Sequence, residues 1–433
     1  MMESIAEQAL KEAQKYADIV EIFVEKEESL QLDLQLDHID FAKEDSTLGL
    51  GIRVIIDSKM GFSYTSDLEE IENAVKRAVS NSKANEKDEN FVLAEPGNYS
   101  NIKGTYDSKF NSMEVEDAIN FAQSMLDTVM EEKCEPTSGG FSTGLAKSFI
   151  LNSNGVECKN ISTGFGGYIA VNAEKDGEKS TAYDSVSSCF MDIDPEKLAK
   201  QVCQIAKDSI GGESVETKDM DVVLDYHAAA GLLGTFISAI NADNVQRGRS
   251  ILADKVGEEV FSPNVSIFDD GTLENGLLSS RCDGEGTPSE KTTLVENGIL
   301  KGFIYDLYTA HKGKTSSTGN GSRSFAETPS VGPSNLVLEF TKQRYLSELK
   351  DAILVTDVLG AHTANPISGD FSVEANNAFI IKDGEIKAPV KKAMLSGNIF
   401  DSLKSAEKIK SSVRQYGPFV IPKILAHDLR VVG

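Results

Sequence analysis

Apolar and polar residues alternate with a period of two in three stretches near the start of the chain. Between residues 18 and 67 these stretches are DIVEIFVEKEE, LQLDLQLDHIDFAKE and LGLGIRVIIDSKMGFSYTSD. The alternation predicts half-buried antiparallel strands, because successive side chains of a strand point to opposite faces. Helical spacing precedes the strands at about residues 4–15 and follows them in DLEEIENAVKRAVSNSK, which predicts a helix, several strands and a second helix.

The same order of elements recurs after a polar connection at about residues 84–111. The stretch STLGLGIRVI (46–55) resembles STGFGGYIAV (162–171), and each leads through a further strand into a helix with an acidic cap. We therefore predict a tandem repeat within the first half of the chain. An α+β meander without a repeat would give a similar pattern, so that alternative stays open.

Hairpin signals dominate the second half of the chain. Asn297-Gly298 and Asp383-Gly384 each stand between two apolar runs, and such pairs favour type I′ turns. Helical spacing is sparse there, with one late helix expected in GNIFDSLKSAEKI. The prediction is an α+β protein: an N-terminal domain (1–215) with the duplicated helix–strands–helix unit, and a mainly antiparallel β C-terminal domain (216–433).

Charge and cysteine content narrow the class of protein. The 433 residues include 68 acidic and 43 basic side chains, giving a net charge of -25, which repels nucleic acid. No apolar run approaches the roughly 18 residues that span a membrane, and the N-terminal stretch is a polar amphipathic helix. The five cysteines form no C-x-x-C pair, so we expect unpaired thiols in a reducing compartment. These features predict a cytoplasmic protein that binds neither nucleic acid nor membrane.

General catalytic motifs are missing from the sequence. No P-loop, dinucleotide-binding glycine motif, nucleophile elbow or EF-hand loop fits, and no two of the five histidines share a helical face. His227 stands in VVLDYHAAAGLLGTF, where an apolar strand enters a helix of small residues. Since lone histidines are more often structural than catalytic, Asp225, His227 and His362 are only weak catalytic candidates, and no metal site is expected.

The loop SSTGNGSRSF is a candidate binding segment. Gly319 and Gly321 give it backbone freedom, and Asn320 tolerates left-handed geometry. We expect these three residues and Arg323 to line a cavity, with the guanidinium contacting a peptide carboxylate or a neighbouring acid. An ordinary surface turn is the alternative.

Three long stretches resemble the TldD/PmbA proteins, once called modulators of DNA gyrase. They are LDYHAAAGLLGTF, the segment from Cys282 to Arg323, and the segment from Ile367 to Leu403. The resemblance covers essentially the whole chain. It implies a cytosolic two-subunit metalloprotease that acts on unfolded or short peptides and encloses a cavity between its subunits. The cavity that we expect Gly319, Asn320, Gly321 and Arg323 to line would then be this cavity between subunits.

The family has two branches, and the residues decide which one the chain resembles. The TldD branch carries H-E-x-x-x-H and a later cysteine as its zinc site, whereas the TldE or PmbA branch lacks this motif. The first histidine corresponds to His227, but Ala228 and Leu232 stand at the other two positions, and VTDVLGAHTANPISGDF contains no cysteine. The chain thus resembles the TldE/PmbA branch, which implies no cofactor of its own and zinc in a TldD-type partner.

Three functions remain open at this point. The first is a non-catalytic subunit that pairs with a TldD-type chain. The second is an autonomous peptidase that uses other residues, such as Asp225, His227, Asp283 or His362. The third is a homodimeric protein that binds peptides by adding a strand to a sheet edge.

Overall fold

The first half of the protein forms one six-stranded antiparallel sheet covered by four helices. The computed structural model describes residues 1–433. The strand order is β3-β2-β1-β4-β5-β6. The elements are α1 (Met2–Ala13), β1 (Ile19–Gln35), β2 (His38–Ile56), β3 (Lys59–Thr65), α2 (Ile71–Ala84), α3 (Val115–Glu131), β4 (Glu135–Asn152), β5 (Glu157–Lys175), β6 (Glu178–Ser188) and α4 (Pro195–Asp208).

This sheet is built from two copies of one unit, as the sequence predicted. Each copy consists of a helix, three antiparallel strands and a helix, and the copies join where β1 pairs with β4. The similar stretches 46–55 and 162–171 lie on β2 and β5, the middle strands of the two copies. The duplicated unit is therefore confirmed.

The two faces of β1 have different neighbours. Val20, Ile22 and Val24 pack with α1 and α2 in a core of 18 buried residues. The side chains between them point to the opposite face because of the strand alternation. There Phe23 packs in a cluster that contains Cys282 of the second half, so this face of the sheet meets the C-terminal part.

The second half is dominated by a twelve-stranded mixed sheet in which antiparallel pairs outnumber parallel ones. Helix α5 packs on this sheet in a core of 45 buried residues. The elements are β7 (Lys218–Leu224), α5 (Tyr226–Ile240), α6 (Ala242–Gln246), β8 (Val265–Asp270), β9 (Lys291–Glu296), β10 (Ile299–Leu300), α7 (Leu307–Lys312), β11 (Gly321–Ser322), β12 (Ser330–Val331), β13 (Leu336–Phe340), β14 (Gln343–Arg344), β15 (Asp351–Leu359), β16 (Asp370–Lys382), β17 (Glu385–Pro389), β18 (Ala393–Asn398), α8 (Ile399–Leu403), β19 (Glu407–Tyr416) and β20 (Phe419–Val432).

Both predicted hairpins are present. Asn297 and Gly298 connect β9 to β10 with φ of 50° and 81°, and Asp383 and Gly384 connect β16 to β17 with φ of 48° and 78°. Two successive positive φ angles define the type I′ turn. The late helix is shorter than expected, because Glu407 already pairs with Leu425 of β20 and tertiary pairing turns the segment into a strand.

Two further expectations concern cysteines and membranes. Cys158 and Cys282 are joined by a disulfide, so the expectation of five unpaired thiols is wrong for this pair. Cys134, Cys189 and Cys203 are free and buried. None of the helices combines the length and the apolar character needed to cross a bilayer.

Candidate functional site

The side chain of His227 lines a cavity between the two halves of the protein. The cavity has a volume of about 270 Å³. His227 stands in the first turn of α5, and Asp225 caps that helix by accepting the Tyr226 amide at 2.8 Å. We call this space the histidine cavity; its lining comprises Tyr183, Asp184, Gln201, Ile205, Asp225, Tyr226, His227, Thr356, Ser411, Ser412, Arg414, Tyr416 and Lys423.

Asp184 of β6 is the main partner of His227. Its carboxylate lies 2.8 Å from His227 Nε2 and accepts the Tyr416 hydroxyl at 3.0 Å. The ring of Tyr416 packs against the imidazole with centroids 4.3 Å apart, and Tyr183 approaches from another side at 5.6 Å. A strand of the first half and a strand of the second half thus fix the orientation of one histidine.

The carboxylate of Asp184 is ionised. Burial alone would raise the pKa of Asp184, but hydrogen bonds from His227, the Ser185 amide and Tyr416 lower it below its ordinary value. Burial beside this negative charge also raises the pKa of Tyr416, which keeps the phenol protonated. An ionised acceptor requires a donor, so His227 carries a proton on Nε2.

The carboxylates around His227 are paired with other groups. Catalytic zinc takes three protein ligands, and those of the cavity are already engaged. Asp225 caps α5 and pairs with Lys423 at 2.7 Å, while Asp184 holds His227 and lies 3.6 Å from Arg414. The two cations would oppose a divalent ion, and no group of three or more potential ligands is arranged to hold a metal.

The two residues that replace the TldD motif point away from this cavity. Ala228 is 0% exposed and Leu232 is 1% exposed, and both belong to the large core of the second half. His362 was the third catalytic candidate; it is exposed in a short 3₁₀ turn and does not line the histidine cavity. Asp225 and His227 are therefore brought together, whereas His362 stands apart.

The glycine-rich loop lines a second cavity, which we call the loop cavity. It has a volume of about 290 Å³ and lies between the N-terminal sheet and loops of the second half. Gly319, Asn320, Gly321 and Arg323 all contribute to its wall, as do Cys282 and Asp283. The loop cavity lies within one chain, so contact with a peptide or a second subunit remains a prediction.

Arg323 belongs to a buried cluster of charges at the junction of the two halves. Its side chain is 1% exposed and lies 2.7 Å from Glu21. Glu21 also accepts two hydrogen bonds from Arg53, whose guanidinium donates to Glu285 at 3.0 Å. We expected Arg323 to contact either a peptide carboxylate or a neighbouring acid. In the structure its partner is a neighbouring acid, Glu21.

Carboxylates outnumber the arginines in this cluster. Burial raises the pKa of Glu285 to about 8 against the opposing effect of Arg53, and the charge of nearby Asp283 adds to the increase. Burial also raises the pKa of Asp283 to about 6, although it accepts the amides of Gly321, Glu285 and Thr287. Arg53 is already shared with Glu21, so we take Glu285 to be the residue that holds a proton.

Sequence patterns gave no signal for several residues of the histidine cavity. Asp184 stands in an alternating strand, where an acid predicts a solvent-facing position. Arg414 and Lys423 lie on β19 and β20, nearly 200 residues beyond His227. The pairing of β20 with β7 places these second-half cations near His227, and the packing of the two halves adds Asp184.

The fold and these sites define the class of protein. Family models for PmbA/TldA metallopeptidases match domain 1 at residues 20–82, the central domain at residues 108–210 and the C-terminal domain at residues 217–433. The chain belongs to the PmbA/TldD metallopeptidase family.

Particular relatives span nearly the whole chain. An uncharacterised protein of Methanocaldococcus jannaschii is 34% identical over 420 residues, covering 97% of this chain and 98% of the relative. A metalloprotease PmbA homologue of Haemophilus influenzae is 25% identical, covering 98% and 94%. The crystal structure of TldE from Thermococcus kodakarensis superposes with a TM-score of 0.93 at 26% identity, covering 99% of this chain and 100% of that one.

Proposed function

We propose that this chain is the TldE-type, non-catalytic subunit of a two-subunit cytoplasmic metalloprotease that acts on unfolded or short peptides. In this proposal the partner is a TldD-type chain that holds the zinc, and this chain forms part of the chamber wall. A homodimer is the alternative assembly.

The observation that carries the proposal is the arrangement around the start of α5. His227 is held by Asp184 and flanked by two cations, Arg414 and Lys423. The neighbouring positions Ala228 and Leu232 are used for core packing. In this chain two of the motif positions serve core packing, and His227 belongs to a network of ion pairs. Such a subunit is suited to support the active site of a partner.

The test is coexpression with a TldD-type chain from the same organism, followed by peptide hydrolysis assays on the pair and on each chain alone. We expect the two chains to copurify, and we expect the pair to cleave peptides while this chain alone is inactive. His227→Gln in this chain should leave most activity of the pair, whereas substitution of the partner's first motif histidine should abolish it. Failure of the two chains to associate would contradict the proposal.

A second candidate function rests on the Asp184–His227 pair. A carboxylate that holds Nε2–H leaves Nδ1 free to act as a base, which is how hydrolases orient a general base. An autonomous peptidase would therefore be active without a partner, and both Asp184→Asn and His227→Gln would abolish that activity. The assay of the isolated chain separates this function from the first.

A further inference from the structure

The disulfide between Cys158 and Cys282 joins the two halves of the chain. Cys158 pairs with Ile150 of β4 near the start of β5, and Cys282 lies 124 residues later in the loop that follows β8. Both cysteines are buried and share a small apolar cluster with Phe23, Ile150 and Val156. The bond therefore fastens a loop of the second half to the sheet of the first.

The fastened loop holds the buried charges together. Asp283 follows Cys282 directly and accepts amides from Glu285, Thr287 and Gly321 at 2.8–2.9 Å. Through Glu285 the same loop reaches Arg53 in β2. The position of Cys282 is thus coupled to the ion cluster and to the wall of the loop cavity.

Only one of the two cysteines lines the loop cavity, although both side chains are almost fully buried. Cys282 lines the loop cavity, whereas Cys158 does not. The Asn160 amide donates to the Cys282 carbonyl at 3.1 Å and lies 3.5 Å from its sulfur, a contact that favours the thiolate. A compound that enters the loop cavity therefore meets Cys282 first.

We propose that Cys158 and Cys282 form a reversible thiol–disulfide site, which low-molecular-weight disulfides oxidise through the loop cavity. The Cys282 thiolate attacks one sulfur of the small disulfide and expels the other half as a thiolate. The Cys158 thiolate then attacks the Cys282 sulfur of the mixed disulfide and expels the second half. Two protein thiols are oxidised, one small disulfide is reduced to two thiols, and a dithiol reverses the exchange.

The order of attack gives a direct test with glutathione disulfide as the probe. The reduced full-length chain and its variants Cys158→Ser, Cys282→Ser and Cys189→Ser are treated with it and analysed by intact mass and peptide mapping. The wild-type and Cys189→Ser chains should form the 158–282 cross-link and lose two hydrogens. Cys158→Ser should retain one glutathionyl group on Cys282, and Cys282→Ser should carry none on Cys158.

Hydrogen exchange supplies a readout that does not depend on the variants folding. Reduction of the wild-type cross-link should speed amide exchange across residues 277–289 and lower the melting temperature.

A wild-type chain whose Cys158 and Cys282 both remain open to alkylation after oxidation would overturn the assignment. So would an equal glutathione adduct on Cys158, or a cross-link between the neighbouring free thiols of Cys134 and Cys203.

Discussion

At the scale of single residues, His227 has its Nε2 proton committed to one buried acid. Replacing His227 with Gln leaves Asp184 with the Tyr416 hydroxyl, the Ser185 amide and a weaker donor. We expect a loss of about 1–3 kcal/mol in the free energy of unfolding, because a buried charged acceptor loses a well-placed donor. Chemical denaturation measures the loss, and metal analysis should give equal zinc content for both chains. His38→Gln is the control, since His38 is exposed and should change stability by less than about 0.5 kcal/mol. Tightly held zinc that disappears in the His227 variant would contradict the prediction.

Glu285 makes stability depend on pH. Its pKa is raised to about 8 in the folded protein by burial, from an ordinary value near 4.5. The folded state therefore holds a proton that the unfolded state releases, and stability falls as pH rises from about 4.5 through 8. Glu285→Gln keeps this side chain neutral at every pH. The free energy of unfolding of the variant should therefore increase relative to that of the wild type as pH rises. Denaturation midpoints at several pH values measure this, with exposed Asp37→Asn as the control. A difference that is independent of pH would show that Glu285 is ionised throughout.

At the scale of elements, α5 is a core helix whose inward face is filled. Restoring the H-E-x-x-x-H pattern with Ala228→Glu and Leu232→His places polar groups among residues that are 0% and 1% exposed. We expect destabilisation on the order of several kcal/mol, since buried polar groups without partners are costly. The double variant should melt earlier, bind no stoichiometric zinc and hydrolyse no peptide. Leu232→Met, which conserves volume, should cost less than about 1.5 kcal/mol. A stable, zinc-loaded double variant would mean that α5 can rotate its motif into the histidine cavity.

At the scale of the whole molecule, the two halves are held by charges as well as by apolar contact. Arg53→Met leaves Glu21 with Arg323 alone and Glu285 without its cation. Breaking such a buried network should cost about 3–5 kcal/mol. The matched control is Lys76→Met, which removes an exposed i,i+4 pair with Glu72 worth about 0.3–0.5 kcal/mol. Thermal unfolding of both variants measures the contrast, and equal losses would show that the cluster contributes no more than a surface pair.

The sequence by itself determined the elements and their duplication. Alternation along β1, β2 and β5 follows from one buried face, and the type I′ turns follow from residues that tolerate positive φ. These are local rules, so the strands, the hairpins and the α+β class could be read from short windows. The departure of Ala228 and Leu232 from the metal motif was also visible, because it depends on residue identities at fixed spacing.

Only the tertiary structure decided which polar residues are buried. Glu21 and Arg53 alternate with apolar residues and have the pattern of solvent-facing positions, yet they are 0% and 5% exposed. Asp184 and Cys158 are buried as well, and their partners His227 and Cys282 lie 43 and 124 residues away. The alternation along a strand shows that its two faces differ. It does not show that another part of the chain will cover the polar face. The second half of the chain covers the polar face of the first, and this docking creates the charge cluster, the disulfide and both cavities.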